Sequence, residues 1–297
     1  RYDPDQVNIV QNGGDLRVKI RGPWWKSIYW EVPLLALISE LYYNMTGQKT
    51  DAGWKQRAED KAILLNANGV SVADFGTRRR YSFDVQDFVV KTFRDTCKSF
   101  VGTSNVFLAK KYGIKSIGTQ AHEFISIHAA LFGYRMANQI AMEAWVNEFG
   151  GDLGIALPDT FTTDVFLKSF DKKFARLFDG CRQDSNSSYE FADKLINHYK
   201  SLGIDPKNKV IVFSDALNSN KCVELHWHYR NLVKTSFGVG THLTADVGVE
   251  PLNIVIKVTA IEYNGTRFNA IKLSDVQGKE TGDPEEIKLC KKVLKLT

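Results

Sequence analysis

The chain has 297 residues, 43% hydrophobic and 25% charged, which is enough material for one large core and too apolar for a disordered polypeptide. Its formal charge of +5 is modest, and Lys and Arg are scattered except at Arg78-Arg79-Arg80. Without the basic, aromatic-interleaved stripe of a nucleic-acid binder, small anions are the expected partners.

The chain opens on Arg1 rather than Met, and Tyr2-Asp3-Pro4 runs straight into alternation, which predicts that further residues precede it. Val7 and Ile9, then Asn12-Gly13-Gly14, then Leu16, Val18 and Ile20 predict a β-hairpin with one buried face. Ile28 to Met45 is apolar at helical spacing, with Pro33 marking a kink or a late start, and a second helix is expected over Asp51 to Leu65. From Gly69 a short apolar run, a polar or glycine-containing turn and an amphipathic stretch follow one another repeatedly. The runs are Val70 to Phe75, Ser99 to Gly102, Ser116 to Ile117, Leu153 to Leu157, Gly180 to Arg182, Val210 to Phe213 and Thr235 to Val239. Helical text separates most of them; Phe191, Leu195, Tyr199 and Leu202 fall on one face.

Alternation of this kind builds a parallel sheet, and seven runs predict closure into an irregular TIM-like α/β barrel. No Gly-x-Gly-x-x-Gly follows the first run, which counts against a dinucleotide fold. After Pro251, Asn253 to Glu262, a turn at Asn264-Gly265 and Phe268 to Leu273 predict a second hairpin packing on the first. The expected organisation is a smaller β-rich domain built from both chain ends, with 1–50 and 251–297 flanking a barrel over 51–250. No apolar run approaches the roughly 18 residues that cross a bilayer. The cysteines, Cys97, Cys181, Cys222 and Cys290, show neither metal-like spacing nor a paired framework, so free thiols in a reducing, cytoplasmic setting are expected.

In a parallel barrel the strand exits converge on one face, so separate motifs become one site. His122, in Gly118-Thr119-Gln120-Ala121-His122-Glu123, stands where a strand gives way to a long helix; a neutral imidazole there can accept a proton, hold a metal or become phosphorylated, with Glu123 near enough in sequence to orient it. Asp74-Phe75-Gly76-Thr77-Arg78-Arg79-Arg80 joins an aromatic face, Phe75, to guanidinium forks suited to carboxylates and phosphates, Arg78 first among them. Arg182 and Asp184 are two apart and share a face if the strand persists, serving either an anion with a ribose hydroxyl or a magnesium-bound water, or only a structural ion pair. Asp215 ends a strand as a candidate for sugar or metal, or as a helix cap. The glycines at 238 and 240, with Thr241, would let backbone N–H groups approach a phosphate, and Thr103 with Ser104 offers a similar turn. His128, His198, His226, His228 and His242 are read as surface or packing residues.

Taken in order, Asp-Phe-Gly-Thr-Arg-Arg-Arg at 74–80, Gly-Thr-Ser-Asn at 102–105, Gly-Thr-Gln-Ala-His-Glu at 118–123, Gly-Ile-Ala-Leu at 154–157, Arg-Gln-Asp-Ser at 182–185, Phe-Ser-Asp at 213–215 and Ser-Phe-Gly-Val-Gly-Thr at 236–241 resemble the nicotinate phosphoribosyltransferase family. Pro-Leu-Asn-Ile-Val-Ile-Lys at 251–257 and Lys-Leu-Ser-Asp at 272–275 extend the resemblance to essentially the whole chain. It implies a type II phosphoribosyltransferase barrel, a homodimer with a shared site, and formation of nicotinate mononucleotide from nicotinate and phosphoribosyl pyrophosphate, coupled to ATP as co-substrate with Mg²⁺. By the same resemblance His122 is phosphorylated by ATP, Phe75 stacks on the pyridine, Arg78 and Arg182 hold anionic groups, and Asp184 and Asp215 meet ribose or Mg²⁺. Thr103, Ser104 and Ser185 join the substrate contacts, and Gly238 to Thr241 cradle the 5′-phosphate.

Two departures accompany the likeness. Family members start with a further segment that contributes a tyrosine across the dimer. Their Arg-x-Asp-Ser also continues as Gly-Asp, where this chain has Asn186-Ser187, so a backbone position that favours positive φ holds Asn, and a carboxylate that would serve metal or ribose is lost. A phosphoribosyltransferase for another pyridine such as nicotinamide, and a degenerate barrel that binds phosphate or dimerises without turnover, remain alternatives at this point.

Overall fold

In the computed structural model, which describes residues 3–276 and 278–296, a six-stranded parallel sheet organises the molecule. After a first hairpin of β1 (Val7–Asn12) and β2 (Asp15–Ile20), its strands are β3 (Val72–Asp74), β4 (Phe100–Thr103), β5 (Ile155–Ala156), β6 (Gly180–Gln183), β7 (Val210–Phe213) and β8 (Lys234–Val239). They pair in the order β4-β3-β8-β7-β6-β5. A parallel bridge from Thr103 to Ser116 adds the short third run outside β4. All seven apolar runs therefore take part, in circular order. This is the order of a barrel with one gap, between Ser116 and β5, where the side chain of Gln120 accepts from the Leu157 N–H at 3.2 Å. Gly102 permits the bridge: its φ is +149°, and a Cβ there would stand 2.2 Å from the Lys115 carbonyl oxygen.

Helices cover the sheet because their apolar stripes have no other place to go. The chain supplies α1 (Trp24–Ser27), α2 (Glu31–Met45), α3 (Trp54–Ala67), α4 (Phe83–Thr96), α5 (Val106–Tyr112), α6 (His122–Phe132), α7 (Ala137–Phe149), α8 (Thr163–Ser169), α9 (Lys172–Leu177), α10 (Ser188–Ser201) and α11 (Ser219–Tyr229). The short α12 (Thr241–Thr244) and, after β9 (Ala260–Tyr263) and β10 (Thr266–Asn269), α13 (Pro284–Leu294) complete the series. Phe191, Leu195 and Tyr199 of α10 are buried in one core with Phe93 of α4 and the strand residues Val72, Cys181, Ile211 and Phe237. The side chains of Ser82, Asn105, Thr162, Asp171, Ser187, Asn218 and Asp283 cap helix N-termini.

Several boundaries differ from the sequence reading. Pro33 sits in the first turn of α2, where its missing N–H costs nothing, and a 3-10 turn over Ile28–Trp30 precedes it, so the regular helix starts late. The first hairpin forms about the expected turn, yet both faces are largely open, with Ile9 55% and Val10 43% exposed. Between Pro251 and Thr259 the backbone makes no strand; pairing begins only at Ala260. The two hairpins are separate sheets joined by an exposed ion pair, Arg21 to Glu262 at 2.8 Å. All four cysteines are free and buried. No helix of the described residues is long and apolar enough to cross a membrane.

Candidate active site

The carboxyl ends of the strands open into a cavity of about 410 Å³. Phe75, Arg78, Ser104, His122, Arg182, Asp184, Asp215, Gly238 and Gly240 all line it, so motifs spread over more than 160 positions of sequence meet in one wall.

Arg182 leaves β6 and is fixed on every side. Its Nε donates to Ser214 Oγ at 2.7 Å, its Nη1 to Thr119 Oγ1 at 2.8 Å, and its Nη2 pairs with Asp184 Oδ1. The guanidinium also lies 5.7 Å from the centre of the Phe75 ring. That ring packs closely against the backbone of Gly238, where a Cβ would stand 2.4 Å from ring carbon Cε2. The glycine pattern in β8 is thus a packing requirement of Phe75 as well as an opening for a ligand.

His122 is the first residue of α6 and nearly buried, at 9% exposure. Its Nδ1 lies 2.9 Å from Thr160 Oγ1, and its Nε2 lies 3.1 Å from Asp184 Oδ2 and 3.6 Å from Asp159 Oδ1. Carboxylates only accept, so the neutral ring carries its proton on Nε2 and Thr160 donates to the lone pair on Nδ1. Burial lowers the His122 pKa below its ordinary 6.5, against the pull of Asp184 and Asp159. The amino end of α6 acts in the same direction. Burial alone would raise the Asp184 carboxyl; Arg182, helped by His122 and Lys272, outweighs it and holds the group well below the usual carboxylate range. Asp159, 2% exposed, has Oδ2 3.3 Å from Lys272 Nζ, while its Oδ1 has no hydrogen-bond partner.

His122, Asp159 and Asp184 place three possible ligand atoms within 4.8 Å of one another. Both carboxylates already face a cation, Lys272 or Arg182, so the cluster is balanced without a metal ion. Asp215 differs: it faces the cavity, burial raises its pKa, and it makes no hydrogen bond or ion pair among the described residues. A hard cation that keeps its waters fits that carboxylate better.

Some expected contacts lie elsewhere. Thr103 is fully buried, its hydroxyl donating to Asp74 Oδ2 at 2.6 Å, which leaves it behind the wall as a prop. Ser185 is also buried, donating to Asp159 Oδ2 at 2.8 Å. Thr241 begins α12 beside the cavity without lining it. Glu123 does not orient His122; it accepts from Trp24 Nε1 at 2.7 Å, and Thr160 and Asp184 do that work. Asn186 has φ +67°, the left-handed conformation the departure from the motif predicts, and Ser187 caps α10 at the Glu190 N–H. His198 and His242 are packing residues, bonded to the Phe170 carbonyl and to Ser219.

The sequence reading missed Asp159, Thr160, Lys257, Lys272 and Glu31. Asp159 and Thr160 follow the fourth apolar run after a single Pro158, so the strand-exit rule already pointed to them. Lys257 ends one of the quoted motifs and Lys272 begins another; both line the cavity, and burial lowers the Lys257 pKa. Glu31, which binds Arg78 Nη1 at 2.8 Å from the first turn of α2, carries no local signal.

Residues 70–297 match the model of the Nicotinate phosphoribosyltransferase (NAPRTase) family. The chain is 50% identical to "Nicotinate phosphoribosyltransferase" of Chromohalobacter salexigens, over 100% of this chain and 77% of that protein. It is likewise 50% identical to the protein of that name from Desulforapulum autotrophicum, over 99% and 77% of the two chains. The crystal structure of nicotinate phosphoribosyltransferase from Porphyromonas gingivalis superposes with a TM-score of 0.96 at 42% identity, covering 99% of this chain and 78% of that one.

Proposed function

From the premise that the chain belongs to the nicotinate phosphoribosyltransferase family, we propose a task in that enzyme's reaction for each side chain of the cavity. The protein is an enzyme of pyridine nucleotide and NAD biosynthesis that joins nicotinate to the ribose of phosphoribosyl pyrophosphate. Phe75 stacks on the pyridine ring, and Arg78, aimed by Glu31, takes its carboxylate. Expelling pyrophosphate from the ribose passes through a cation-like sugar, so the site must hold the ring nitrogen in line and neutralise the leaving group. Arg182 and Lys257 supply fixed positive charge, the Gly238 to Gly240 backbone receives the 5′-phosphate, and Ser104 and Asp184 lie toward the ribose. Asp215 would hold Mg²⁺ through its waters; when bound, the ion neutralises pyrophosphate charge.

His122 accepts the γ-phosphoryl group of ATP. The observation that carries this reading is a neutral imidazole at the amino end of a helix, buried between two balanced carboxylates and a hydroxyl. A phosphoryl group there adds roughly −1.5 to −2 charge, which the helix end and Lys272 favour and which changes the affinity of the pyrophosphate subsite. The working unit is a cytoplasmic homodimer in which the partner completes the site.

Product formation from nicotinate and from nicotinamide, each with and without ATP, tests the assignment. Nicotinate with ATP should be the fastest of the four, and acid-labile phosphate from labelled ATP should be lost in His122→Ala. Equal labelling of the variant and the parent would remove His122 from the ATP step.

A further inference from the structure

Thr160 is fully buried, at 0% exposure, and its hydroxyl is 2.9 Å from His122 Nδ1. Asp184 accepts the ring proton on Nε2, with Asp159 Oδ1 farther off at 3.6 Å, so Nδ1 carries the only lone pair able to attack phosphorus. In the resting enzyme that lone pair is therefore engaged by a single side chain on a hydroxyl that can rotate away. Thr160 belongs to the short helical turn Pro158–Thr160 just after β5, and its backbone carbonyl accepts from the Leu273 N–H at 2.8 Å. The same turn thus carries Thr160, Asp159 with its unpartnered Oδ1, and a link to the Lys272 segment.

We propose that Thr160 is the positioning residue of the phosphoryl step: its hydroxyl latches the His122 ring through Nδ1 and releases that nitrogen when the γ-phosphoryl group of ATP arrives. The proposal rests on the reading of His122 as the phosphoryl acceptor. In the step, the Nδ1 lone pair forms the N–P bond, the bond from phosphorus to the bridging oxygen breaks, and ADP leaves with that electron pair. Nε2 keeps its proton, so the ring becomes positively charged, and Asp184 and Asp159, which has a free oxygen, face that charge. The freed Thr160 hydroxyl donates to a phosphoryl oxygen, replacing the hydrogen bond it gave up. A side chain of the same shape without a hydroxyl would leave ring and phosphoryl group without this partner.

Rapid-quench labelling by ATP carrying a labelled γ-phosphate would compare the parent, Thr160→Val, Thr160→Ser and His122→Ala. The phosphorylated ring nitrogen would be identified by NMR, and the Kd for nicotinate mononucleotide measured in parallel. Expected results are labelling slowed about 100-fold in Thr160→Val, the scale of a misdirected catalytic histidine, and within about threefold of the parent in Thr160→Ser. Phosphate should sit on Nδ1, and product affinity should be unchanged within about twofold in both threonine variants. Thr160→Val labelled as fast as the parent while His122→Ala loses the label would overturn the latch alone. Phosphate on Nε2, or product affinity lost in parallel with labelling, would also overturn it. Equal labelling of His122→Ala and the parent would overturn the latch and the histidine's role together.

Discussion

Two buried polar networks stand at strand ends on opposite edges of the same sheet, and they differ in which carboxylate oxygens they satisfy. Behind β3 and β4, Asp74 accepts from the Gly76 N–H, Gln86 Nε2 and Thr103 Oγ1, while Gln86 also meets Thr77, Asn105 and Arg80. No buried side-chain oxygen or nitrogen of Asp74, Thr77, Gln86, Thr103 or Asn105 lacks a partner; the one orphan lies at the edge of this network, on Arg80 Nε. Beyond β5 and β6, His122 and Asp184 line the cavity with Asp159 and Thr160 buried behind them, and this cluster keeps one carboxylate oxygen unpaired, Asp159 Oδ1. A closed network holds loops in place, whereas an incomplete one leaves a partner to be supplied by chemistry. Both contain acidic groups at strand ends, so composition alone does not distinguish scaffold from site.

The contrast is broken most severely at Asp74. Asp74→Ala removes the acceptor of three buried donors and should cost about 4 kcal/mol in denaturant unfolding. His122→Ala should cost only about 1–2 kcal/mol while abolishing ATP-derived labelling, so a larger stability loss there than at Asp74 would refute the division of labour. Next in size, Gly238→Ala pushes on the Phe75 ring and should raise KM for nicotinate about tenfold, ~1.4 kcal/mol, with little change in ATP-dependent labelling.

A pH series sharpens the same division. Because burial places the folded-state pKa of His122 below its ordinary 6.5, the neutral ring contributes stability in full above that value and loses it as pH falls through the lowered folded pKa. Asp184, held far lower, stays ionised across this window. ATP hydrolysis should therefore keep its rate down to pH 6.5 and decline only below it; a midpoint above 6.5 would contradict a buried neutral ring. The smallest effect is expected at the motif departure. Asn186→Gly should shift stability by less than about 1 kcal/mol and leave nicotinate turnover unchanged, because Asn already holds φ +67° and Ser187 already caps the following helix.

The apolar runs and their spacing were legible because most positions of the sheet strands are buried and apolar residues dominate them. With them came the circular strand order and the convergence of Phe75, His122, Arg182, Asp184 and Asp215 on one face. The first hairpin's open faces were not legible: alternation records a period and says nothing of what covers it. The stretch before Ala260 has the same weakness, since β-rich text without a pairing partner remains irregular.

What the sequence by itself determined is therefore the barrel order, the family and the identity of the strand-end side chains, all of which follow from local patterns in register with the chain. Only the tertiary structure decided which of those side chains face the cavity and which brace it, sending Thr103 and Ser185 behind the wall and bringing Asp159, Thr160 and Lys272 to His122. Those partners lie 37, 38 and 150 positions from the histidine, and a hydrogen bond is set by distance and direction in space, which no spacing along a single chain encodes.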